Sequence, residues 1–249
     1  MKKKILIITH NLIAGGSQKK LINLFNEIKK KNSYLFVYKK KEVFLKINKK
    51  DPNLIFSRSR KIWLSFFEIK NLIFKKNFNI VYSSGRNLSL VIGTFFYFLK
   101  FKGHLIFGEQ NTMDEFKNKN IKNFFKLFFM KIAYKKANSV IANSIDTKKD
   151  LIKYKITNKN KIHIISNPIE VSSTKLDNIN NIKKNIRKKF VIVACGSLTY
   201  QKNFQLLIHA FYLFQKKISN SYLLILGDGP MKEDLNNLIK NYKITNKVK

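Results

Sequence analysis

The chain has 249 residues, 45% hydrophobic and 13% aromatic, with only 9 Gly and 3 Pro; collagen-like, low-complexity and disordered classes fall away, leaving one large or two smaller domains. A single cysteine, Cys195, excludes an intramolecular disulfide and a cysteine-built zinc cluster. The net charge of +36 runs from Lys2 to Lys249 without a separate basic tail, so it suggests an anionic partner, or the Lys, Asn, Ile and Phe usage of an AT-rich genome, and locates no site.

Lys2 to Lys4 followed by Ile5 to Ile8 has the look of a signal peptide, but His10 and Asn11 interrupt the apolar run and a buried first strand is expected instead. A helix over 17–31 follows, then strands at 34–38 and 53–56 and a helix over 61–76. A strand at 80–82 precedes the longest uncharged apolar run, 88–99. That run is well short of the ~20 residues of a membrane span and contains Gly93 and Thr94, so it reads as part of a buried helix over 88–101. Strands at 104–107, 140–142 and 162–165 alternate with helices over 121–137 and 146–154. Fully apolar strands alternating with helices imply a parallel sheet covered on both faces, an α/β Rossmann-like domain over 1–170. The stretch 171–189, rich in Asn and Lys, reads as a polar linker. The rhythm restarts at 190–249 with a strand at 190–194, a helix over 204–217, a strand at 222–226 and a helix over 231–242. Two strands offer too little surface for a sheet covered on both sides, so this second domain is expected to be partial.

Three glycine-bearing turns follow strands and precede helices, where free N–H groups suit an anion. They are Gly15-Gly16-Ser17, Gly196-Ser197 with Lys202-Asn203, and Gly227-Asp228-Gly229-Pro230. Each has a plainer reading: a tight turn capped by Ser17, a solvated lysine, and a proline at a first helical position. The spacing does not match G-x-G-x-x-G, a P-loop or a G-x-S-x-G elbow. No D-x-D pair is present, and His10, His104, His163 and His209 lack metal-ligand spacing, so no metal is expected.

Five segments in order resemble one family, the GT-B glycosyltransferases often called family 4. They are ILIITHNLIAGGSQK at 5–19, KANSVIANSIDTKKDL at 136–151, KIHIISNPI at 161–169, GSLTYQKNFQLLIHAF at 196–211 and LILGDGPMKEDL at 224–235. The resemblance implies a GT-B fold, with a complete N-terminal Rossmann-like domain and the start of a second. It also implies transfer of a sugar from a nucleotide-diphosphate donor to a cell-envelope glycan or lipid-linked acceptor, with retention and without a metal or cofactor. By the same resemblance, Gly15 and Gly16 would lie beside donor phosphates or acceptor. Gly196, Ser197, Lys202 and Asn203 would meet the diphosphate, and Gly227, Asp228 and Gly229 would border the nucleotide. Glu109 and Gln110 would stand near the reacting sugar. Gln110 occupies a position where the family commonly has His, Ser197 one that is usually Arg, and Gln18 one more often Glu. The family's E-x7-E pair, which holds the donor sugar, has no counterpart among these residues. The resemblance therefore implies an N-terminal portion of a transferase, catalytically impaired by itself, or a non-catalytic remnant of the fold.

A basic nucleic-acid-binding module is the competing class, disfavoured because no binding motif is present and the Phe residues fall within apolar runs. A last expectation is cytoplasmic localisation with peripheral attachment to an anionic membrane, at its inner face, through the helix at 121–137. There Phe124, Phe125, Phe128 and Phe129 lie among Lys122, Lys126, Lys131, Lys135 and Lys136. Lys131 and Lys135 fall nearly opposite Lys122 and Lys126, so a buried helix with snorkelling lysines is the alternative.

Overall fold

A computed structural model describes residues 3–13, 16–28, 32–39, 47–48, 50–98, 101–118, 120–168 and 190–249; the expected linker at 171–189 lies outside them. The chain divides into two compact units, Met1–Glu170 and Val171–Lys249.

Unit 1 holds seven strands: β1 (Ile5–Thr9), β2 (Ser33–Val37), β3 (Leu54–Phe56), β4 (Ile80–Ser84), β5 (His104–Glu109), β6 (Ser139–Ala142) and β7 (Ile162–Ile164). All pairings are parallel, in the order β3-β2-β1-β4-β5-β6-β7. Among the described residues five helices connect them: α1 (Gly16–Ile28), α2 (Ser65–Lys76), α3 (Arg86–Phe98), α4 (Ile121–Lys136) and α5 (Ile145–Lys153). Local chemistry sets their ends. The Asn120 side chain accepts from the Asn123 N–H at the start of α4, and Ser144 does the same for Thr147 at the start of α5. At the end of α2, Asn77 takes a left-handed conformation, φ 54°, and its N–H reaches the Ile73 carbonyl.

The connections explain which face each helix covers. Right-handed crossovers place a helix on one face when the chain steps from β1 toward β2, and on the other when it steps through β4, β5, β6 and β7. Accordingly α1 packs Leu21, Ile22 and Phe25 against Ile7, Leu35, Val37 and Leu54. On the opposite face Phe66, Ile69, Leu88, Ile92, Phe96, Met130, Ala133, Tyr134 and Leu151 of α2 to α5 pack against Leu6, Ile8, Val81, Leu105, Phe107, Val140 and Ala142. Helices thus lie on both faces of the parallel sheet, as its apolar strands imply. Beyond α1 the first face carries no further helix among the described residues, and a groove of about 840 Å³ runs along Leu24, Ile28, Tyr82, Ile106, Ile141 and Ile165.

Helices α3 and α4 meet at Gly93 and Ala133. A β-carbon on Gly93 would sit 2.6 Å from that of Ala133, so only glycine allows this crossing. The contact fixes which side of α4 faces inward: Met130, Ala133 and Tyr134 are its buried residues.

Unit 2 contains β8 (Phe190–Cys195) and β9 (Ser221–Leu226), parallel, with α6 (Phe204–Lys217) and α7 (Lys232–Asn241). Its core gathers Phe204, Ile208, Phe211, Leu223, Leu235, Ile239 and Val248. Leu223 also bridges Val248 in parallel fashion. Phe190, Val193 and Leu226 remain more than half exposed, in keeping with a two-stranded sheet.

Candidate functional site

In a parallel α/β sheet the strands' C-terminal ends share one edge, and the loops there carry ligands. In unit 1 that edge brings together Thr9-His10-Asn11, Ser84-Gly85, Glu109-Gln110-Asn111 and Asn143-Ser144, each following a strand. Side-chain amides tie them together. Gln110 Nε2 donates to Ser84 Oγ at 2.7 Å, and Asn143 Nδ2 donates to the Gln110 carbonyl at 3.0 Å. Thr147 Oγ1 in turn donates to Asn143 Oδ1 at 2.9 Å. On the first strand, Gln18 Nε2 donates to Asn11 Oδ1 at 3.3 Å, and the His10 ring lies 5.3 Å from that of Tyr38. Burial, and secondarily the charge of Lys39, hold the His10 pKa below its ordinary value.

Glu109 sits beneath this edge, 1% exposed. Oε2 accepts from Arg86 Nε at 3.1 Å and from the Tyr134 hydroxyl at 2.9 Å. Oε1 lies 3.1 Å from Arg86 Nη2 and accepts the N–H groups of Gln110 and Asn111 at 3.1 and 3.3 Å. Arg86 also donates to the carbonyls of Asn111 and Thr112 at 3.0 and 3.2 Å and pairs with Glu115. Burial works against the Arg86 charge, but Glu109 and then Glu115 outweigh it and raise its pKa. Burial, reinforced by Glu109, drives the Tyr134 phenol well above its usual value. Of the two residues expected near the sugar, Glu109 therefore has its carboxylate fully committed to holding the 109–115 loop, whereas Gln110 lies on the edge itself.

Gly15 lies outside the described residues. Gly16 opens α1, and a β-carbon there would meet nothing within 4 Å, leaving open space beside the helix N-terminus.

In unit 2 the two remaining glycine turns are one structure. Gly196 N–H donates to the Leu226 carbonyl at 3.0 Å, Leu198 N–H to that of Asp228 at 2.9 Å, and Met231 N–H to that of Leu198 at 3.1 Å. A β-carbon on Gly227 would collide with the Gly196 carbonyl oxygen, and one on Gly229 would lie 2.5 Å from that of Leu198. These glycines thus serve close loop packing. Asp228 accepts from the Gly229 N–H at 2.9 Å and sits 3.5 Å from Lys232 Nζ, an exposed pair. Ser197 and Lys202 are exposed on the same edge. Lys202 ends a 3-10 turn (Tyr200–Lys202) directly before Asn203, which caps α6 by accepting from the Leu206 N–H at 3.4 Å. The turn's N–H groups at Gly196, Leu198, Lys202 and Asn203 are spent on its own carbonyls, so what this edge offers outward is the exposed Lys202 beside the N-terminus of α6, a combination that suits an anion.

Sequence reading missed His10, Ser84, Arg86 and Asn143. Their common signal was available: each lies at, or within two residues of, the end of an apolar strand. Among the described residues no group of three or more His, Cys, Asp or Glu is placed to hold a metal, and no helix is long and apolar enough to cross a membrane.

The model of Glycosyltransferase Family 4 matches residues 33–173, and that of Glycosyl transferases group 1 matches residues 177–249. The chain is 28% identical over 246 residues to an uncharacterized glycosyltransferase of Methanocaldococcus jannaschii, covering 95% of this chain and 55% of that one. It is 29% identical over 150 residues to the N-acetylgalactosamine-N,N'-diacetylbacillosaminyl-diphospho-undecaprenol 4-alpha-N-acetylgalactosaminyltransferase of Campylobacter jejuni, covering 59% and 39%. The chain thus spans about half the length, or less, of these curated relatives. Among solved structures it is similar to Anabaena HepE in complex with UDP-glucose, with TM-score 0.76 at 15% identity, covering 99% of this chain and 68% of that one. It is also similar to the lipopolysaccharide outer core galactosyltransferase WaaB, with TM-score 0.67 at 15% identity, covering 99% and 67%. At these identities the likeness speaks for the fold, which is that of the GT-B glycosyltransferases.

Proposed function

Because this chain belongs to Glycosyltransferase Family 4, we propose that it takes part in moving a sugar from a nucleotide-diphosphate donor to a glycan or lipid-linked acceptor, with retention and without a metal. The observation that carries the reading is the interlocked pair of glycine turns in unit 2, which presents Ser197, Lys202 and the start of α6 on one edge. As the bond to the sugar breaks, negative charge grows on the leaving diphosphate. Lys202 and the N-terminus of α6 stabilise it. Gly196, Asn203, Gly227, Asp228 and Gly229 shape the turn that receives the phosphates and nucleotide.

In unit 1, Gly16 leaves room beside α1 for phosphate or acceptor, and Gln110 meets the reacting sugar. Glu109 acts as a positioning residue, since its carboxylate orients Gln110 and Asn111 through their own N–H groups. A Gln cannot serve as a charged acid or base at neutral pH, so its contribution is hydrogen bonding and orientation.

UDP bound in the Anabaena structure makes UDP-sugars the first donors to test, and the acceptor named for the Campylobacter relative makes a polyprenyl diphosphate glycan the first acceptor. The test is transfer of labelled sugar from UDP- and GDP-linked donors to that acceptor. Labelled glycolipid with the donor's anomeric configuration kept supports the reading. An inverted product overturns retention, and failure to consume any donor overturns transfer.

A further inference from the structure

The helical layer that covers one face of the unit 1 sheet is apolar on both sides. Its inner side is the core. Its outer side carries Phe67 and Phe74 of α2, Tyr97 of α3, and Ile121, Phe124, Phe125, Phe128 and Phe129 of α4, all exposed. On α4 these are not scattered: at about 100° per residue, Phe125 and Phe128 fall within about 40° of the direction of Ile121, opposite the buried Met130. Phe124 pairs edge-on with Phe125 and Phe128 with Phe129, ring centroids 5.8 and 5.7 Å apart. The inward side of α4 is already committed to α3 through Gly93 and Ala133, so no rotation of the helix would bury these rings.

Lysines border this ridge on both sides. Lys131 and Lys135 flank one edge, Lys122 and Lys136 the other, and the exposed Lys122, Lys131 and Lys135 stand beside the rings. Lys126 does not belong to the set, because its ammonium reaches Glu115 at 2.6 Å. Neither α3 nor α4 contains an acidic residue, and the single one on α2, Glu68, is engaged by the Arg58 N–H at 3.1 Å and by the Ser59 hydroxyl. The expected alternative of a buried helix with snorkelling lysines is corrected: the phenylalanines face outward and the lysines edge them.

From this geometry we infer that the outer face of the α2–α3–α4 layer, centred on α4, docks onto an anionic lipid bilayer surface. Aromatic rings enter the headgroup and acyl boundary while flanking lysines meet anionic headgroups, the division of labour of an interfacial helix. A patch of apolar rings this concentrated marks an interaction surface. Its lysine border and lack of acids select a negatively charged planar partner over an apolar protein face. Each basic residue near such a surface strengthens partitioning by roughly fivefold. The inference is independent of the transfer reaction, since membrane docking is read without any donor.

The test is co-sedimentation of the full chain with vesicles of phosphatidylcholine alone and of phosphatidylcholine mixed with phosphatidylglycerol, at about 0.15 M salt. The chain is expected to pellet with the mixed vesicles only. Phe125→Ser with Phe128→Ser, and separately Lys131→Glu with Lys135→Glu, should each weaken partitioning at least tenfold. Lys216→Glu with Lys217→Glu, the same charge change in unit 2, should leave it within twofold. The altered residues are exposed, and a melting curve checks that each variant is folded. Equal binding by the phenylalanine variant, or an equal loss in the unit 2 control, overturns the inference in favour of diffuse charge. A parent dimer that the phenylalanine variant dissociates, with no vesicle binding, overturns it in favour of a second copy as occupant.

Discussion

Gly227 lies against the carbonyl of Gly196 so closely that any β-carbon on Gly227 would collide with that oxygen. The turn after β9 is therefore built around the turn after β8 before any ligand arrives. Gly227→Ala should destabilise unit 2 by about 1–3 kcal/mol through forced backbone displacement, with no nucleotide present. Urea unfolding followed by NMR signals of unit 2 backbone amides, such as those of Leu223 and Ile208, measures it. Unchanged stability would show that the two turns are not locked.

Arg86 and Glu109 form a buried pair joined by two contacts of 3.1 Å. Arg86→Met strands the Glu109 carboxylate and should cost about 3–5 kcal/mol. Arg86→Lys keeps the charge but loses the planar fork and the carbonyl contacts to Asn111 and Thr112, so its cost should be smaller but clear. Tyr134→Phe removes one donor and should cost about 1–3 kcal/mol. Chemical denaturation of the three variants should rank them Met, Lys, Phe in decreasing order of damage.

Such relationships mark the limit of what sequence reveals. The strands were legible because parallel, doubly buried strands are apolar at every position, as in Ile5 to Ile8. The glycine turns were legible because punctuation between strand and helix is local. The burial of Glu109 was not, since its partners lie 23 and 25 residues away. Nor was the outward face of α4: Phe, Met and Ile occur all around this helix, and the inward side is chosen by Gly93, a distant small residue that admits Ala133. The glycines of the last turn were read for ligand approach, whereas their packing against the preceding loop becomes visible only in three dimensions.

His10 supplies a pH signature. Its folded pKa lies below the ordinary 6.5, so the folded state resists protonation that the unfolded state accepts. Stability should hold above pH 6.5 and fall as pH drops through the folded value. His10→Asn should remove this component, so that the stability difference between parent and variant shrinks on acidification. Denaturation curves between about pH 5 and 8 measure it. A constant difference across that range would place the His10 ring in a solvent-like environment.

The proposed binding of a nucleotide-linked diphosphate at the unit 2 edge can be observed residue by residue. Its most direct test is titration of the 249-residue chain with UDP and UDP-glucose, observing backbone amide resonances by NMR. Shifts are expected at Gly196, Ser197, Lys202, Asn203 and Gly227 to Gly229, with Lys202→Ala weakening binding about 10- to 100-fold, the value of a charged hydrogen bond. Lys217→Ala should change nothing. Amides at both turns that stay unmoved at saturating UDP and GDP-linked ligands would contradict it.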